Sequence, residues 1–182
     1  VSSAASDVYK RQVQSIAVEA NKNILSPLPV GTALLDGNYE GANKEAVHVL
    51  VEKAEGYAIN VPPKAKEVVG IRIDANARVA NRFQFIVGEG AELEVQFYVT
   101  GSGDALTNVS YLNEYDVKEA GKVVVKKVNL LPEHVQHIEH RYTKLEEKAD
   151  VEYINIEIGG SENILNYYHD LVCLLYTSPS PR

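Results

Sequence analysis

Three histidines recur at every third position in the segment EHVQHIEHRY, and histidine is the side chain best suited to bind a metal ion or move a proton near neutral pH. They are His134, His137 and His140, and Glu133 and Glu139 lie beside them. Residues three apart share a face of a helix, so His134 and His137 could bind one metal ion there. A metal site is therefore the first chemical hypothesis.

A strand would divide the same side chains between two faces, because successive residues of a strand point in opposite directions. Spacing without groups that orient the ligands is poor evidence for a metal site. We therefore expect an exposed, solvated row of histidines, Glu139 and Arg141 paired at a solvated edge, and no stoichiometric metal binding. On a strand, the two sets are His137, Glu139 and Arg141 on one face, and His134, His140 and Tyr142 on the other.

The remaining polar motifs indicate turns and solvated faces. GEGAEL lacks the spacing and the following helix of a dinucleotide-binding loop, and GSGD has no lysine to contact a phosphate. Glu92 and Glu94 flank Leu93, which we expect to point inward, so both should face solvent rather than calcium. Asp74, Asp104 and Asp116 form no compact carboxylate cluster that would favour a lyase or hydrolase, although each stays an individual candidate. Tyr167, Tyr168 and His169 could form a contact surface, but we expect them to pack at a strand end, because aromatic residues are favoured in strands.

The two ends of the chain differ from the rest in composition. Ser2–Gln12 and Cys173–Arg182 resemble translated transposon adapters, because the codons that fit one end are the reverse complement of those that fit the other. We exclude both tails from fold reasoning and expect them to pack on nothing specific. We also expect the natural chain to extend beyond both ends.

The body between the tails, residues 13–172, is acidic and free of thiols. Its 15 basic and 24 acidic residues give a formal charge of −9, which argues against nonspecific nucleic-acid binding and against anionic membranes. Cys173, the only cysteine, lies in a tail, so the body has no disulfide, thiolate nucleophile or thiolate metal site. No apolar run is long enough to span a membrane.

A turn followed by an alternating segment recurs along the body. The small residues Ala65, Ala91, Ala120 and Ala149 mark it, with spacings of 26, 29 and 29 residues. Such a period, with two short strands in each repeat, predicts a solenoid. Propeller blades need more residues, and a sandwich of consecutive hairpins is the alternative for any all-β pattern.

Two regions follow from this pattern. Residues 13–43 combine a helix-like run with a linker rich in proline and glycine, and residues 44–172 contain short alternating strands. We predict an all-β, right-handed parallel β-helix, or β-solenoid, preceded by a short irregular or helical segment. The side chains expected to point inward include Tyr57, Ile59 and Val61; Val69, Ile71 and Ile73; Leu93, Val95, Phe97 and Val99; and Ile154, Ile156 and Ile158.

Four segments resemble, in order and spacing, the core of the SufB/SufD family of iron–sulfur cluster assembly proteins. The resemblance extends from about Lys44 to Val172, and the absence of cysteine from the body favours the SufD branch. It implies a right-handed parallel β-helix. The four segments are GYAINVPPKAKEVVGIRI, ARVANRFQFIVGEGAELEVQFYV, TNVSYLNEYDVKEAGKVVVKKVNLL and ADVEYINIEIGGSENILNYYHDLV.

The resemblance implies a cytoplasmic scaffold rather than an enzyme. Its partners would be a SufB-type subunit and a SufC-type ATPase, and the intact complex would hold the iron–sulfur cluster transiently. The family's interface and ATPase-binding residues lie beyond Val172, so no catalytic, cofactor-binding or metal residue is assigned to this chain. The alternative is an extracellular β-helical enzyme acting on carbohydrates, or an adhesin, since solenoids offer a long ligand groove.

We expect the stacking of coils to stop near Val172, because the chain departs from the family there. Ile154, Ile156 and Ile158 should then be partly bare, and the isolated chain should be marginally stable or prone to aggregate. It should bind neither the ATPase nor a cluster.

Overall fold

The computed structural model describes residues 16–34, 39, 43–76, 78–102 and 107–172, together with the backbone of residues 8–13. Within that part of the chain there are twelve strands and one helix. The strands are β1 (Val8–Val13), β2 (Ile16–Asn21), β3 (Leu25–Leu28), β4 (Gly56–Val61), β5 (Lys66–Asp74), β6 (Val79–Val87), β7 (Glu92–Thr100), β8 (Thr107–Val117), β9 (Lys122–Asn129), β10 (Val135–Leu145), β11 (Asp150–Glu157) and β12 (Glu162–Leu171); the helix is α1 (Lys44–Lys53).

The strands form two six-stranded sheets. Sheet A has the order β1-β2-β5-β7-β9-β11, and sheet B has the order β12-β10-β8-β6-β4-β3. From β4 onward the chain alternates between the sheets, and each strand pairs in parallel with the strand two places later. Four coils therefore stack on one another, β4–β5, β6–β7, β8–β9 and β10–β11, and β12 begins a fifth. The predicted β-solenoid is confirmed, and the sandwich of hairpins is excluded because hairpins pair antiparallel.

The repeating turn joins sheet B to sheet A at one corner of each coil. One residue at each corner has a positive φ, in the left-handed region that glycine adopts most easily. The backbone N–H of three of these residues donates to a carbonyl of the next coil's turn at 2.9 Å, which ties the corners into a ladder. The four residues and their φ angles are Lys64 (63°), Gly90 (64°), Ala120 (56°) and Lys148 (58°).

This geometry corrects the alignment of the third repeat. Ala120 has the left-handed conformation itself, so the residue equivalent to Ala65, Ala91 and Ala149 is Gly121. Gly121 itself does not have a positive φ; in this turn the left-handed residue is Ala120. The true spacings are 26, 30 and 28 residues, as the strand registers Lys66↔Glu92, Glu92↔Lys122 and Lys122↔Asp150 show.

The first two coils have an apolar interior. Side chains that alternate along each strand point inward and stack on their equivalents in the next coil; Phe85 packs against Tyr115 with ring centroids 4.6 Å apart. This agrees with the expectation for β4, β5 and β7. The buried interior residues of these strands are Tyr57, Ile59 and Val61; Val69, Ile71 and Ile73; Phe83, Phe85 and Val87; and Leu93, Val95, Phe97 and Val99.

The last strand of sheet A has the opposite orientation to the predicted one. Ile154 and Ile156 point outward and are 42% and 47% exposed, and Ile158 just beyond the strand is 73% exposed. Asn155 and Glu157 point inward instead, because they continue the inward ladders of Lys127 and Asn129 in β9. The three isoleucines are bare as expected, but on the outer face rather than at an uncovered interior.

The secondary structure on either side of residue 43 differs from the expectation. The run expected to be helix-like, residues 13–25, contains β2 and leads into β3; these strands pair antiparallel with β5 and β4 and so close the first coil. Residues 44–53, which we expected to begin the strands, form α1. Val47, Leu50 and Val51 are buried on one face of this helix at helical spacing, against the outer face of sheet B.

Part of the N-terminal tail is paired. Val8–Val13 bonds antiparallel to Ile16–Asn21 as the edge strand of sheet A, so the expectation that Ser2–Gln12 packs on nothing is wrong for Val8–Gln12. Residues 1–7 and Cys173–Arg182 lie outside the described residues.

Candidate functional site

The interior of the solenoid changes from apolar to polar between the second and third coils. Ile71 and Phe97 are followed in the same inward ladder by Lys127 and Asn155. The parallel register puts each of these residues directly above its predecessor, so the ladder itself holds a lysine inside the fold. The buried polar residues of the third and fourth coils that point inward are Asn113, Lys127, Asn129, His137, Glu139, Arg141 and Thr143; we call them, with Asn155, Glu157 and Asn163, the interior polar cluster.

Glu139 is the centre of the cluster. Its Oε1 accepts hydrogen bonds from Arg141 Nη2 at 3.0 Å and from Asn113 Nδ2 at 3.0 Å, and its Oε2 accepts one from Lys127 Nζ. Lys127 also lies 2.5 Å from Glu157 Oε1. The cations Lys127 and Arg141 therefore face two carboxylates. The region is almost closed to water, since Lys127, Glu139 and Arg141 are each about 1% exposed.

The two cations beside Glu139 keep its carboxyl group ionised. Burial alone would raise the pKa of the Glu139 carboxyl, but Lys127 and Arg141 outweigh burial and hold that pKa below its usual value. An unpaired charge at this depth would be costly, so the four groups form a balanced set. The cluster is thus electrically neutral in its interior.

His137 is a neutral imidazole between two hydrogen-bond partners. Burial, with Lys127 nearby, lowers its pKa. Nδ1 lies 3.0 Å from Asn163 Oδ1, and Nε2 lies 2.6 Å from the Tyr111 hydroxyl. Asn129 Nδ2 also lies 3.3 Å from Nδ1, but the Asn163 acceptor is nearer; with the proton on Nδ1 directed at Asn163, Nε2 accepts from Tyr111. This chain of bonds links the fully buried Tyr111 to β12.

Arg141 lies between two tyrosine rings. Its guanidinium carbon is 3.8 Å from the centre of the Tyr153 ring and 4.1 Å from that of Tyr167, which come from β11 and β12. Both contacts are cation–π interactions, and arginine is suited to them because its guanidinium group is planar. Arg141 thereby connects three successive strands around the interior.

These observations correct the expectation for the histidine row. From Val135 onward the segment is a strand, β10, and its side chains separate onto two faces as predicted for a strand; His134 lies half-buried in the turn before it. However, His137 and His140 are buried, at 0% and 2% exposure, and Glu139 and Arg141 pair inside the solenoid rather than at a solvated edge. The expectation of exposure fails because β12 covers β10 on its open side.

The structure does not bring these histidines together as metal ligands. His137 points inward and His140 outward, and burial lowers the pKa of His140. Among the described residues, no group of three or more histidine, cysteine or acidic side chains has a geometry that could hold a metal ion. That no metal ion binds stoichiometrically to the histidine row in solution stays a prediction.

The other candidate residues have structural contacts. Glu92 and Glu94 face solvent beside the inward Leu93, as expected, and each forms an ion pair with a lysine of the neighbouring strand, Lys66 and Lys126. Gly88–Ala91 is a corner turn. Three residues expected to pack at a strand end lie within β12 instead and are exposed, although each has one contact: Tyr167 with Arg141, Tyr168 with Tyr142, and His169 with Tyr153.

The two aspartates that the structure describes do not form a site. Asp74 ends β5, and Asp116 lies on β8 with Lys118 at 3.0 Å. Asp104 and Gly103, which are half of the GSGD segment, lie outside the described residues. The two described aspartates point outward from different sheets, next to the buried Ile73 and Val117, so they cannot act together as a catalytic pair.

A second buried ion pair lies on the outer face of sheet B. Arg82 Nη2 is 3.7 Å from Glu114 Oε1, and both side chains are fully buried under the segment before β4. Glu114 accepts hydrogen bonds from the Tyr39 hydroxyl at 2.6 Å and from the Leu34 N–H at 3.3 Å, and Arg82 donates to the Val51 carbonyl at 2.8 Å. Burial raises the pKa of Glu114. This pair fastens the N-terminal segment to the solenoid.

Residues 71–172 match the family model of the SUF system FeS cluster assembly, SufBD core domain, which is more than half of the chain. The chain belongs to the SufB/SufD family. The match begins in β5 and ends after β12, so it includes the whole interior polar cluster. It supports a role in iron–sulfur cluster assembly by the SUF system.

No curated protein and no solved structure matches this SufB/SufD family chain significantly. In the described part of the chain, the structure contains no helix of the length and apolarity needed to cross a membrane.

Sequence reasoning missed most of this family member's interior polar cluster. Lys127, Asn129 and Asn113 were not singled out, and the inward assignment of Ile154, Ile156 and Ile158 left Glu157 on the outer face. One signal was available: Lys126 and Lys127 are adjacent in the strand VVVKKVN, so one of the two lysines must point inward.

Proposed function

We propose that this chain is the solenoid part of a scaffold subunit, of the SufD type, in the SUF iron–sulfur cluster assembly machinery. The subunit would act in the cytoplasm, pair with a SufB-type paralogue and bind a SufC-type ATPase, and it would assemble partners rather than catalyse a reaction. The coincidence of the SufBD core match with the stacked coils is the observation that supports this proposal.

The architecture supports a scaffold in two ways. The backbone hydrogen bonds between coils are continuous from β4 to β12, which gives a stiff rod on which partners can be held at fixed separations. The strands β11 and β12 are the last in their sheets, and each has one edge with no partner strand among the described residues. Such an edge can pair with a strand of another protein.

The SufD-type assignment in this proposal rests on the lack of thiolate ligands in residues 13–172. An iron–sulfur cluster is bound by thiolates, and the only cysteine of the chain lies in the tail after Val172. The interior polar cluster offers a carboxylate, a histidine and asparagines, but its charges are already satisfied by one another. We therefore treat the iron–sulfur cluster as cargo of the complex and assign it no ligand in this chain.

Co-purification with tagged partners tests the proposal. A SufC-type ATPase and a SufB-type paralogue would be expressed together with either the 182-residue chain or the same chain continued with the C-terminal region of a SufD-type relative. We expect the continued chain to retain both partners in a stable complex on size-exclusion chromatography. We expect the 182-residue chain not to retain the ATPase and to aggregate more readily.

Two results would contradict the proposal. If the continued chain bound neither partner while remaining monomeric and folded, the scaffold role would be wrong. If the 182-residue chain retained the ATPase as well as the continued chain, the ATPase would bind the solenoid itself, and the division of roles would have to be abandoned.

A further inference from the structure

A groove lies on the outer side of sheet B, at the ends of its strands where the corner turns begin. It has a volume of about 640 Å³ and opens to solvent along its length. Its floor includes Asn60 and Ile86, which are directly paired on β4 and β6, and its walls come from the turns of four successive coils and from the turn before β3. We call it the corner groove; it is lined by Asn23, Asn60, Val61, Pro62, Pro63, Ile86, Gly88, Glu89, Lys118, Glu119 and Glu146.

One wall of the corner groove is apolar and rigid. Pro62 and Pro63 are both exposed, and Ile86 is half-buried beneath them. A proline has a fixed φ and no backbone N–H, so this wall cannot form a sheet with an incoming strand and offers only apolar contact. Gly88 keeps the wall close-packed, since an added Cβ would lie 2.6 Å from the Pro63 nitrogen. The wall therefore suits a proline or aliphatic side chain.

The rest of the lining is acidic, and its one cation is already neutralised. Lys118 Nζ lies 3.0 Å from Asp116 Oδ2 and 3.5 Å from Glu146 Oε1, and the hydrogen bond to Asp116 raises the pKa of Lys118. Glu89 and Glu119 are exposed, and neither has an ion pair within the described part of the chain. The groove thus presents two unpaired carboxylates beside an apolar surface.

The two free carboxylates belong to neighbouring coils. The Gly90 N–H donates to the Glu119 carbonyl at 2.9 Å, so Glu89 and Glu119 are attached to turns that are hydrogen-bonded to each other. Adjacent strands lie about 4.8 Å apart, and alternate side chains of an extended segment are about 7 Å apart on one face. A lysine or arginine of such a segment can reach both carboxylates while its neighbours contact the proline wall.

We propose that the corner groove binds a basic, extended segment of a partner protein. A proline or aliphatic residue packs on Pro62, Pro63 and Ile86, and a lysine or arginine lies between Glu89 and Glu119. Opposite charge between the groove and the segment selects the occupant, and the acidic chain, with a formal charge of −7, attracts it from a distance. The proposal does not depend on the scaffold role, because it concerns a different face from the open strand edges.

The test uses the 182-residue chain and a fluorescently labelled peptide of nine residues, three repeats of Lys-Pro-Ile. Binding is followed by fluorescence anisotropy and located by amide chemical-shift changes. We expect the double variant Glu89→Gln/Glu119→Gln to raise the dissociation constant about fivefold or more, because two partly desolvated ion pairs are lost. We also expect binding to weaken as salt rises from about 50 to about 300 mM.

A matched control removes the same charge elsewhere. Glu133→Gln/Glu152→Gln changes two exposed glutamates that lie outside the groove, and it should weaken binding less than about twofold. A second peptide with glutamate in place of lysine should not bind. The proposal is overturned if the control variant weakens binding as much as the groove variant, if the shift changes lie outside the groove, or if no binding is detected.

Discussion

The two halves of the solenoid have the same backbone and different interiors. In the first two coils the fully buried inward side chains are apolar, such as Ile73 and Val99, whereas the next members of that ladder are Asn129 and Glu157. The parallel register decides where a side chain is placed but not its chemistry. A solenoid can therefore change from an apolar to a charged interior without a change of fold.

The difference determines how each half is stabilised. Apolar packing is non-directional, so a residue of the first two coils can be exchanged for another of similar volume at modest cost. In the interior polar cluster each group depends on particular partners: Glu139 satisfies Lys127, Arg141 and Asn113 together. Removal of one partner leaves the others buried and unpaired, and the cost of a substitution should therefore be larger there.

The largest predicted effect contrasts Glu139→Leu with Phe85→Leu. Glu139→Leu leaves Lys127 and Arg141 without their shared carboxylate, and we expect it to lower the free energy of unfolding by about 3–5 kcal/mol. Phe85→Leu keeps an apolar side chain in the second coil and should cost less than about 1.5 kcal/mol. Urea denaturation followed by circular dichroism measures both. Equal costs would mean that the two interiors are stabilised in the same way.

The second prediction tests whether the loss comes from an unpaired charge. Lys127→Met combined with Glu139→Leu removes one charge of each sign, so the double variant should be more stable than the sum of the single effects indicates. We expect a coupling energy of about 2–3 kcal/mol, within the range seen for residues in contact. Additive losses in the same denaturation series would show that Lys127 and Glu139 do not form a unit.

The apolar half was largely predictable from the sequence. The alternation of Leu93, Val95, Phe97 and Val99 identifies the inward face directly, and the corner turns give the period to within a residue. The local pattern suffices here because hydrophobic burial and strand period indicate the same face.

The polar half was not predictable in the same way. In YINIEI the isoleucines alternate as inward residues should, yet Asn155 and Glu157 point inward because β9 below them presents Lys127 and Asn129. That choice depends on contacts between residues 28 apart. Likewise, the burial of His137 depends on β12, which no local pattern of β10 reveals. The helix α1 was also missed, although Val47, Leu50 and Val51 have helical spacing.

The third prediction is a dependence of stability on pH that comes from His137. Burial lowers its pKa in the folded chain, so below the ordinary value of 6.5 the unfolded chain binds a proton more readily than the folded chain. The stabilising contribution of neutral His137 is complete above pH 6.5 and is lost as pH falls from 6.5 through the folded pKa. We expect a loss of about 1 kcal/mol between pH 7 and pH 5.5 from this group.

A comparison with His137→Gln isolates that contribution. Burial also lowers the pKa of His140 and raises that of Glu114, but subtraction of the variant's pH profile removes the effects that the two chains share. The wild type should lose more stability than the variant over this pH range, measured by thermal or urea unfolding. Parallel profiles would show that the interior of the polar half does not exclude the proton.

The smallest predicted effect is that of Tyr115→Phe, which is compared with Tyr111→Phe because both remove a buried hydroxyl of the third coil. Tyr111 and Tyr115 are both fully buried on β8, but only the Tyr111 hydroxyl has a partner, His137 Nε2 at 2.6 Å; that of Tyr115 has none among the described residues. Tyr111→Phe leaves His137 without a donor and should cost about 1–2 kcal/mol, whereas Tyr115→Phe removes an unsatisfied group and should be neutral or slightly stabilising. Tyr115 stacks on Phe85 and so marks the boundary between the two interiors. If both variants cost the same in urea unfolding, hydrogen bonding does not distinguish the polar half from the apolar half at that boundary.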